Sequence, residues 1–301
     1  MRVNPFYVSN LATSLNQVQA TDQQLTAELS SGVRVNALSD DPMASGENVL
    51  LLNQMQRDDS FTQTSSLVQG QLQVTDTAMG GVVAQITQAI SLATSGANGT
   101  LNGSNLESIS NQIAGVRDEV LALANTSYQG QYIFGGSRTG TAPFSLSNMT
   151  TPSTVTYNGD GVVNSLVTPN GQNIQLNVPG NQIFTGPGTS NVLGALNKLV
   201  ADFAMGTPSS TAILDTTALG DALNFVSQQR VIVDNSLTRL TAATDAVSSE
   251  KTQLTAAQTD LMQADVAKIS TQLSLAETQQ TALEDVIAQL GSGSLFDKLQ
   301  G

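Results

Sequence analysis

The 301-residue chain contains no cysteine, no histidine and no tryptophan. Without cysteine there is no disulfide framework, no thiolate zinc site and no thiol nucleophile. Without histidine, the side chain most used for proton transfer near neutrality is missing, so catalysis would have to rest on carboxylates or lysine. Aromatic residues make up 4% of the chain, which argues against a core of large rings and for helices packed through Leu, Val, Ile and Ala. Basic side chains are scarce, 11 against 24 acidic, for a formal net charge of -13. Binding a phosphate backbone needs clustered Lys and Arg, so no nucleic-acid partner is expected, and the acidic excess reads as a solvated surface. The strongest apolar run is the brief "VLLL" of Val49–Leu52, so no membrane insertion is expected. The opening "MRVNPFYVSNLATS" also lacks the apolar core of a secretory signal, so any export would need another route.

What the chain does have is periodicity. Leu219, Val226, Val233, Leu240, Val247, Leu254 and Leu261 recur every seven residues, with Leu223 and Leu237 at the companion position. Further along, that companion position holds Arg230, Thr244, Lys251 and Gln258, so the stripe is narrow and suits one neighbouring helix. At roughly 1.5 Å per residue it predicts a helical rod of about 65 Å. After Leu261 the phase slips, and a new seam runs through Val266, Ile269, Leu273, Ala276, Gln280, Leu283, Ile287 and Leu290. Near the start, Leu11, Leu15, Val18, Leu25 and Leu29 keep a 4-3 rhythm broken by Asp22. Two more stripes run through Leu72, Met79, Val83, Ile86, Ile90 and Ala93, and through Leu106, Ile109, Ile113, Val116, Val120 and Leu123. Ser104 and Glu107 have the spacing of a capping box for the last of these.

From about Gly136 to Pro187 the pattern changes to alternating apolar and polar residues, punctuated by "NGDG" and "PNGQ", the turn chemistry of β-hairpins. The predicted class is therefore mainly α with a β insertion. Segments from the two ends pair as an elongated, antiparallel, coiled-coil-like bundle, and the middle of the chain forms a small β-rich module. The expected divisions are 1–40 with 264–301 as a terminal helical assembly domain, 41–135 with 191–263 as a helical rod, and 136–190 as the β module.

Between the first two helical stretches lies "SSGVRVNALSDDPMASG", Ser30–Gly46. Gly32 suits the left-handed position that ends a helix, and Asp41 before Pro42 is a helix start, with Asp accepting from free amides and Pro losing no hydrogen bond. The segment reads as a joint between two helices, with Arg34 donating to carbonyls or acids. Asp40, Asp41 and Glu47 lack the alternating oxygen ligands of a calcium loop, and no metal is expected. Asp58 and Asp59 are adjacent on a helix and point about 100° apart, so they form no converging acid–base pair. No catalytic residue and no cofactor site emerges from the sequence.

"LSSGVRVNALSDDPMASGENVL" resembles the N-terminal signature of the bacterial flagellin superfamily. "GQYIFGGSRTGTAPFS", Gly130–Ser145, and "SLFDKL" near the end narrow the resemblance to the hook-associated protein 3 family, which joins hook to filament. Filament flagellins usually lack the "YIFGG…TAPF" run. The resemblance implies a non-enzymatic, extracellular component of the flagellum, exported by the flagellar type III apparatus and self-assembling into a ring. The implied partners are a neighbouring hook-associated protein, filament flagellin and an export chaperone. A short filament flagellin and a coiled-coil adaptor or secretion-tip protein are the alternatives.

The expected assembly interface comprises Leu11, Leu15, Val18, Leu25 and Leu29 with Leu273, Leu283, Ile287 and Leu290. These stripes are interrupted at Asp22 and Gln280, so both ends are expected to be weakly ordered alone and helical on assembly. Gly32, Arg34, Asp41 and Pro42 form the expected joint. Leu295, Phe296 and Leu299, on a flexible Gly/Ser hinge, are expected to dock into a partner groove or a chaperone.

Overall fold

The computed structural model describes residues 5–98, 101–150, 152–187, 191–206 and 210–299, with side chains described between 9 and 289 apart from those gaps and position 210. In chain order the elements are α1 (Pro5–Ser31), α2 (Pro42–Ala97), α3 (Gly103–Ala124), β1 (Ser127–Tyr128), β2 (Gln131–Tyr132), β3 (Phe144–Ser147), β4 (Thr154–Tyr157), β5 (Ser165–Val167), β6 (Asn173–Gln175), α4 (Gly180–Ile183), α5 (Val192–Ala204), α6 (Ser210–Met262) and α7 (Val266–Leu299). The chain is mainly helical with an inserted set of short strands, the class its periodicity predicts. It divides into two compact units, Met1–Arg57 with Glu250–Gly301, and Asp58–Ser249.

Within the second unit, α6 buries the seven-residue stripe: Leu219, Val226, Val233, Leu240 and Val247 are all sealed from solvent. The buried face of α2 is an unbroken 4-3 alternation through Phe61, Ser65, Val68, Leu72, Thr75, Met79, Val82, Ile86, Ala89 and Ala93. Val83 and Ile90, which the sequence puts on this stripe, lie one residue off its centre and are only partly buried. The displacement arises because true seam positions hold Ser65, Thr75 and Ala89, which carry little hydropathy signal; Thr75 is tolerated because its hydroxyl donates to Gln71 O at 2.8 Å. Arg230, a polar companion on α6, forks onto Asp76 of α2 through Nε at 2.8 Å and Nη2 at 3.1 Å. This two-pronged geometry fixes the rotation of the two helices where apolar knobs are missing.

α3 packs on α5, with Ser110 Oγ donating to Val200 O at 2.7 Å. Its N-cap is Asn102, whose side chain accepts from Asn105 N at 2.9 Å. The capping box expected from Ser104 and Glu107 is therefore absent; Ser104 Oγ instead donates to Asn102 Oδ1 at 2.8 Å. Asn is as good a cap as Ser, and its place before Gly103 starts the helix earlier.

Among the described residues the β segment forms three separate antiparallel pairs, β1–β2, β3–β4 and β5–β6. "PNGQ" is the turn of the β5–β6 hairpin, closed by Thr168 N donating to Gln172 O at 2.8 Å, with Gly171 at φ +80°. "NGDG" is not a hairpin turn. Its Asp160 is a pin: Oδ1 accepts from Ser137 N at 2.7 Å and Val162 N at 3.1 Å, and Oδ2 accepts from the Ser137 hydroxyl. These hydrogen bonds, the Ser137 hydroxyl foremost, hold the Asp160 carboxyl below the ordinary carboxylate range.

Beneath the pin lies a ring cluster that the low aromatic content gave no reason to expect. Phe134 and Phe144 each meet Phe184 edge-on at 5.2 Å between centroids, and Tyr157 lies 5.0 Å from Phe144. The Tyr157 hydroxyl sits 2.9 Å from Phe134 O and 2.8 Å from Asp160 O, sharing its proton between them. Gly136 makes this possible: its φ is +71°, and a Cβ there would strike Asp160. Gly136→Ala is expected to destabilise the chain by about 1–3 kcal/mol. Gly140→Ala, where a Cβ meets open space, is the matched control and should be near neutral in thermal denaturation.

Candidate assembly interface

α1 and α7 pack against each other, and the chain crosses between their ends through an antiparallel bridge of Val33 with Gln263. Ala264 N donates to Gly32 O at 3.0 Å and Arg34 N to Met262 O at 2.7 Å. These bonds set the C-terminal end of α1 beside the N-terminal end of α7, so the two helices run in opposite directions. On α1 the inward positions are Leu11, Leu15, Val18, Asp22 and Leu25; on α7 they are Ile269, Leu273, Ala276, Gln280, Leu283 and Ile287. Both follow the 4-3 alternation of a two-helix seam.

The seam is thinly filled. Among the described residues Leu25, Ala264 and Ile269 form its buried cluster, with Leu273 partly buried against them and Ala276 buried further along α7. Leu11, Leu15, Val18, Leu283 and Ile287 are half-buried. At the last turn of α1 the pattern rotates: Glu28 is the buried residue at 9% exposure, and Leu29 faces outward at 37%. Gln280 is satisfied along its own helix, its Nε2 donating to Glu284 Oε1 at 2.9 Å.

The side chains of Leu290, Leu295, Phe296 and Leu299 lie outside the described residues. Their backbone corrects the expected hinge, because α7 is continuous through Gly291 and Gly293 to Leu299. Glycine weakens a helix by about 1 kcal/mol relative to alanine, but unlike proline it keeps its amide donor, so it need not end one.

The joint residues Gly32, Arg34, Asp41 and Pro42 come together in one hydrogen-bonded unit. Gly32 ends α1 at φ +69°, its amide donating to Glu28 O at 2.9 Å. Arg34 reaches two ways, Nη1 to Asp41 Oδ2 at 2.9 Å and Nη2 to Leu261 O at 3.1 Å, which ties the joint to the last turn of α6. Asp41 Oδ1 accepts from Ala44 N at 3.0 Å, and Pro42 opens α2. Asp40, one residue earlier, takes the amides of Asn36 at 3.0 Å and Ala37 at 2.8 Å, shaping the loop. The Ala44 amide first, and the Arg34 guanidinium second, hold the Asp41 carboxyl below its ordinary range.

A second joint lies at the phase slip after Leu261, which divides two helical units in the sequence. The slip is a break between helices: α6 ends at Met262, and Asp265 caps α7 by accepting from Lys268 N at 3.0 Å. An Asp directly before the new apolar seam was the available signal. Where the two joints meet α2, Gln258 Nε2 donates to Asn48 Oδ1 at 2.9 Å beside a cavity of about 440 Å³. Among the described residues, no group of three or more acidic side chains could hold a metal ion, and no helix is long and apolar enough to cross a membrane.

Removing the Arg34 fork leaves Leu261 O and Asp41 without their shared donor. Arg34→Ala should therefore raise the rate of proteolytic cleavage within residues 32–41 several-fold, and Arg34→Lys, which has one charge but no fork, should restore resistance only partly. The pH dependence has a fixed sign. Because the folded pKa of Asp41 is depressed, its contribution is fully present above the unfolded value of about 3.9 and is lost as pH falls through the folded value. Acidification should open the joint in that window, and Asp41→Asn should flatten the response.

Residues 6–139 match the N-terminal helical region of bacterial flagellin. Flagellar hook-associated protein 3 of Escherichia coli strain K12 is 27% identical over 312 aligned positions, spanning 98% of this chain and 95% of its own. The solved structure of a flagellar hook-associated protein from Vibrio parahaemolyticus covers 74% of this chain and 100% of its own at 21% identity, with a TM-score of 0.65. Hook-associated protein-3 of Legionella pneumophila covers 70% and 98% at 11% identity, with a TM-score of 0.63. At those identities the two structures speak for the fold alone. Over nearly its whole length the chain is similar to flagellar hook-associated protein 3, and its N-terminal part matches the helical region of bacterial flagellin.

Proposed function

We propose that this chain is the structural subunit that joins hook to filament in a bacterial flagellum, assembling through its two terminal helices and performing no catalysis. The observation that carries this reading is the α1·α7 pair, whose two-helix seam buries few side chains in a single copy. Leu29, Leu275 and Val286, all exposed, offer further apolar surface on the same two helices. Such a pair gains more from neighbours than from its own contacts. In this reading residues 1–40 with 264–301 form the assembly domain, 41–135 with 191–263 a helical rod, and 136–190 an outer β module. Copies close into a ring between a neighbouring hook-associated protein and filament flagellin, after export through the flagellar type III apparatus.

A filament flagellin is the less favoured reading. The "YIFGG…TAPF" run that filament flagellins usually lack here supplies Phe134 and Phe144 to the ring cluster and Gly136 beneath the Asp160 pin. Electron microscopy of the bacterium deleted for this gene separates the two. Intact hooks without filaments, with flagellin released into the medium, are expected; short but attached filaments would overturn the junction role.

The C-terminal tail is the proposed handle for an export chaperone. Deleting residues 291–301 should abolish co-purification with that chaperone and block assembly; unchanged binding would remove the tail from this role.

A further inference from the structure

We infer that Asp22 is the residue that keeps the α1·α7 pair able to open in a single copy. It occupies a seam position, four residues after Val18 and three before Leu25, where the rhythm calls for an apolar knob. Its Oδ1 is sealed from solvent and accepts no hydrogen bond. α1 carries no Lys or Arg along its length to supply a donor. The other polar residues described on the seam differ: Gln280 Nε2 donates to Glu284 Oε1 on its own helix, and Glu28 Oε1 accepts from Gln24 Nε2 at 3.0 Å. Closing the pair therefore strips water from a carboxylate oxygen and gives nothing back, whereas opening it restores hydration. Asp22 thus biases the seam towards the open form, against the small apolar cluster of Leu25, Ala264 and Ile269 at the joint end.

The consequence for assembly rests on the proposed function: a seam that opens in the free chain closes fully once neighbouring copies cover it. The seam property itself does not depend on that reading. It is tested by hydrogen exchange on the purified full-length chain in solution, compared among wild type, Asp22→Leu, Asp22→Asn and Gln23→Leu. Gln23 is the exposed neighbour, so Gln23→Leu reports any effect of added apolar surface or helix propensity.

Asp22→Leu is expected to raise amide protection in 9–31 and 266–289 by roughly tenfold or more, the usual penalty for an unpartnered buried polar group. Asp22→Asn, which removes the charge but keeps a polar group, should give a smaller rise, and Gln23→Leu none. Equal or lower protection in Asp22→Leu, or an equal gain in Gln23→Leu, would overturn the inference and leave the junction assignment untouched. Conversely, a gene deletion that left filaments attached would remove the junction role without altering this result.

Discussion

A helix with two apolar positions per heptad presents a narrow line for burial, and that constraint shapes the long helices of this chain. α6 presents Leu219 through Val247 along a single line, α2 answers with its own unbroken 4-3 face, and α1 and α7 repeat the scheme with fewer buried knobs. Few rings and few bulky side chains are needed, because pairwise seams are filled well by Leu, Val, Ile and Ala. In the 58–249 unit, bonds such as Arg230 to Asp76 fix the rotation of the pair. In the terminal pair the buried cluster lies at the joint end; beyond it Ala276 is buried and the other described seam side chains are half-buried.

The joints matter because they couple the ends of the chain. Residues 32–34 and 262–264 lie far apart in sequence, yet they exchange backbone hydrogen bonds, and Arg34 spans from one side to the other. Each joint is built in the same way, with an Asp capping the helix that follows: Asp41 for α2 and Asp265 for α7. A capped start fixes where a helix begins and the direction in which it leaves. Two capped starts tied by cross-strand bonds make the crossing a defined corner, and the antiparallel direction of α1 and α7 follows from it.

How much of this was legible depended on side-chain size. The α6 stripe could be read because all its repeat positions carry Leu or Val, and the α7 seam because only Gln280 interrupts it. The α2 face was read one residue off: Ser65, Thr75 and Ala89 occupy seam positions without a hydropathy signal, while Val83 and Ile90 beside them have one. The break at 263–265 looked like a phase slip because a three-residue interruption and a stutter leave the same trace in periodicity; only Asp265 distinguishes them. At the site, Gly32, Arg34, Asp41 and Pro42 were legible from local chemistry. The two bonds that Arg34 and Gly32 make to the far end of the chain were not, since nothing in a single sequence pairs residue 34 with residue 261.

The ring cluster shows why an aromatic-poor chain still needs rings in one place. Each of its sheets has two strands, and an isolated two-stranded pair is marginal in water because it has too little surface to bury. Helices can obtain a core by pairing, but short hairpins need side chains that each cover a large area, which is what Phe134, Phe144, Tyr157 and Phe184 supply. Concentrating rings there brings backbone carbonyls into a dry region, and those require donors. The Tyr157 hydroxyl serves Phe134 O and Asp160 O, while Asp160 turns back onto Ser137 and Val162. Gly136 follows from the same demand, since only a residue without a Cβ lets Asp160 approach so closely at positive φ. The "YIFGG…TAPF" stretch is thus a solution to stabilising small strands on a helical scaffold, with Phe134 and Phe144 supplying rings to the cluster and Gly136 admitting Asp160.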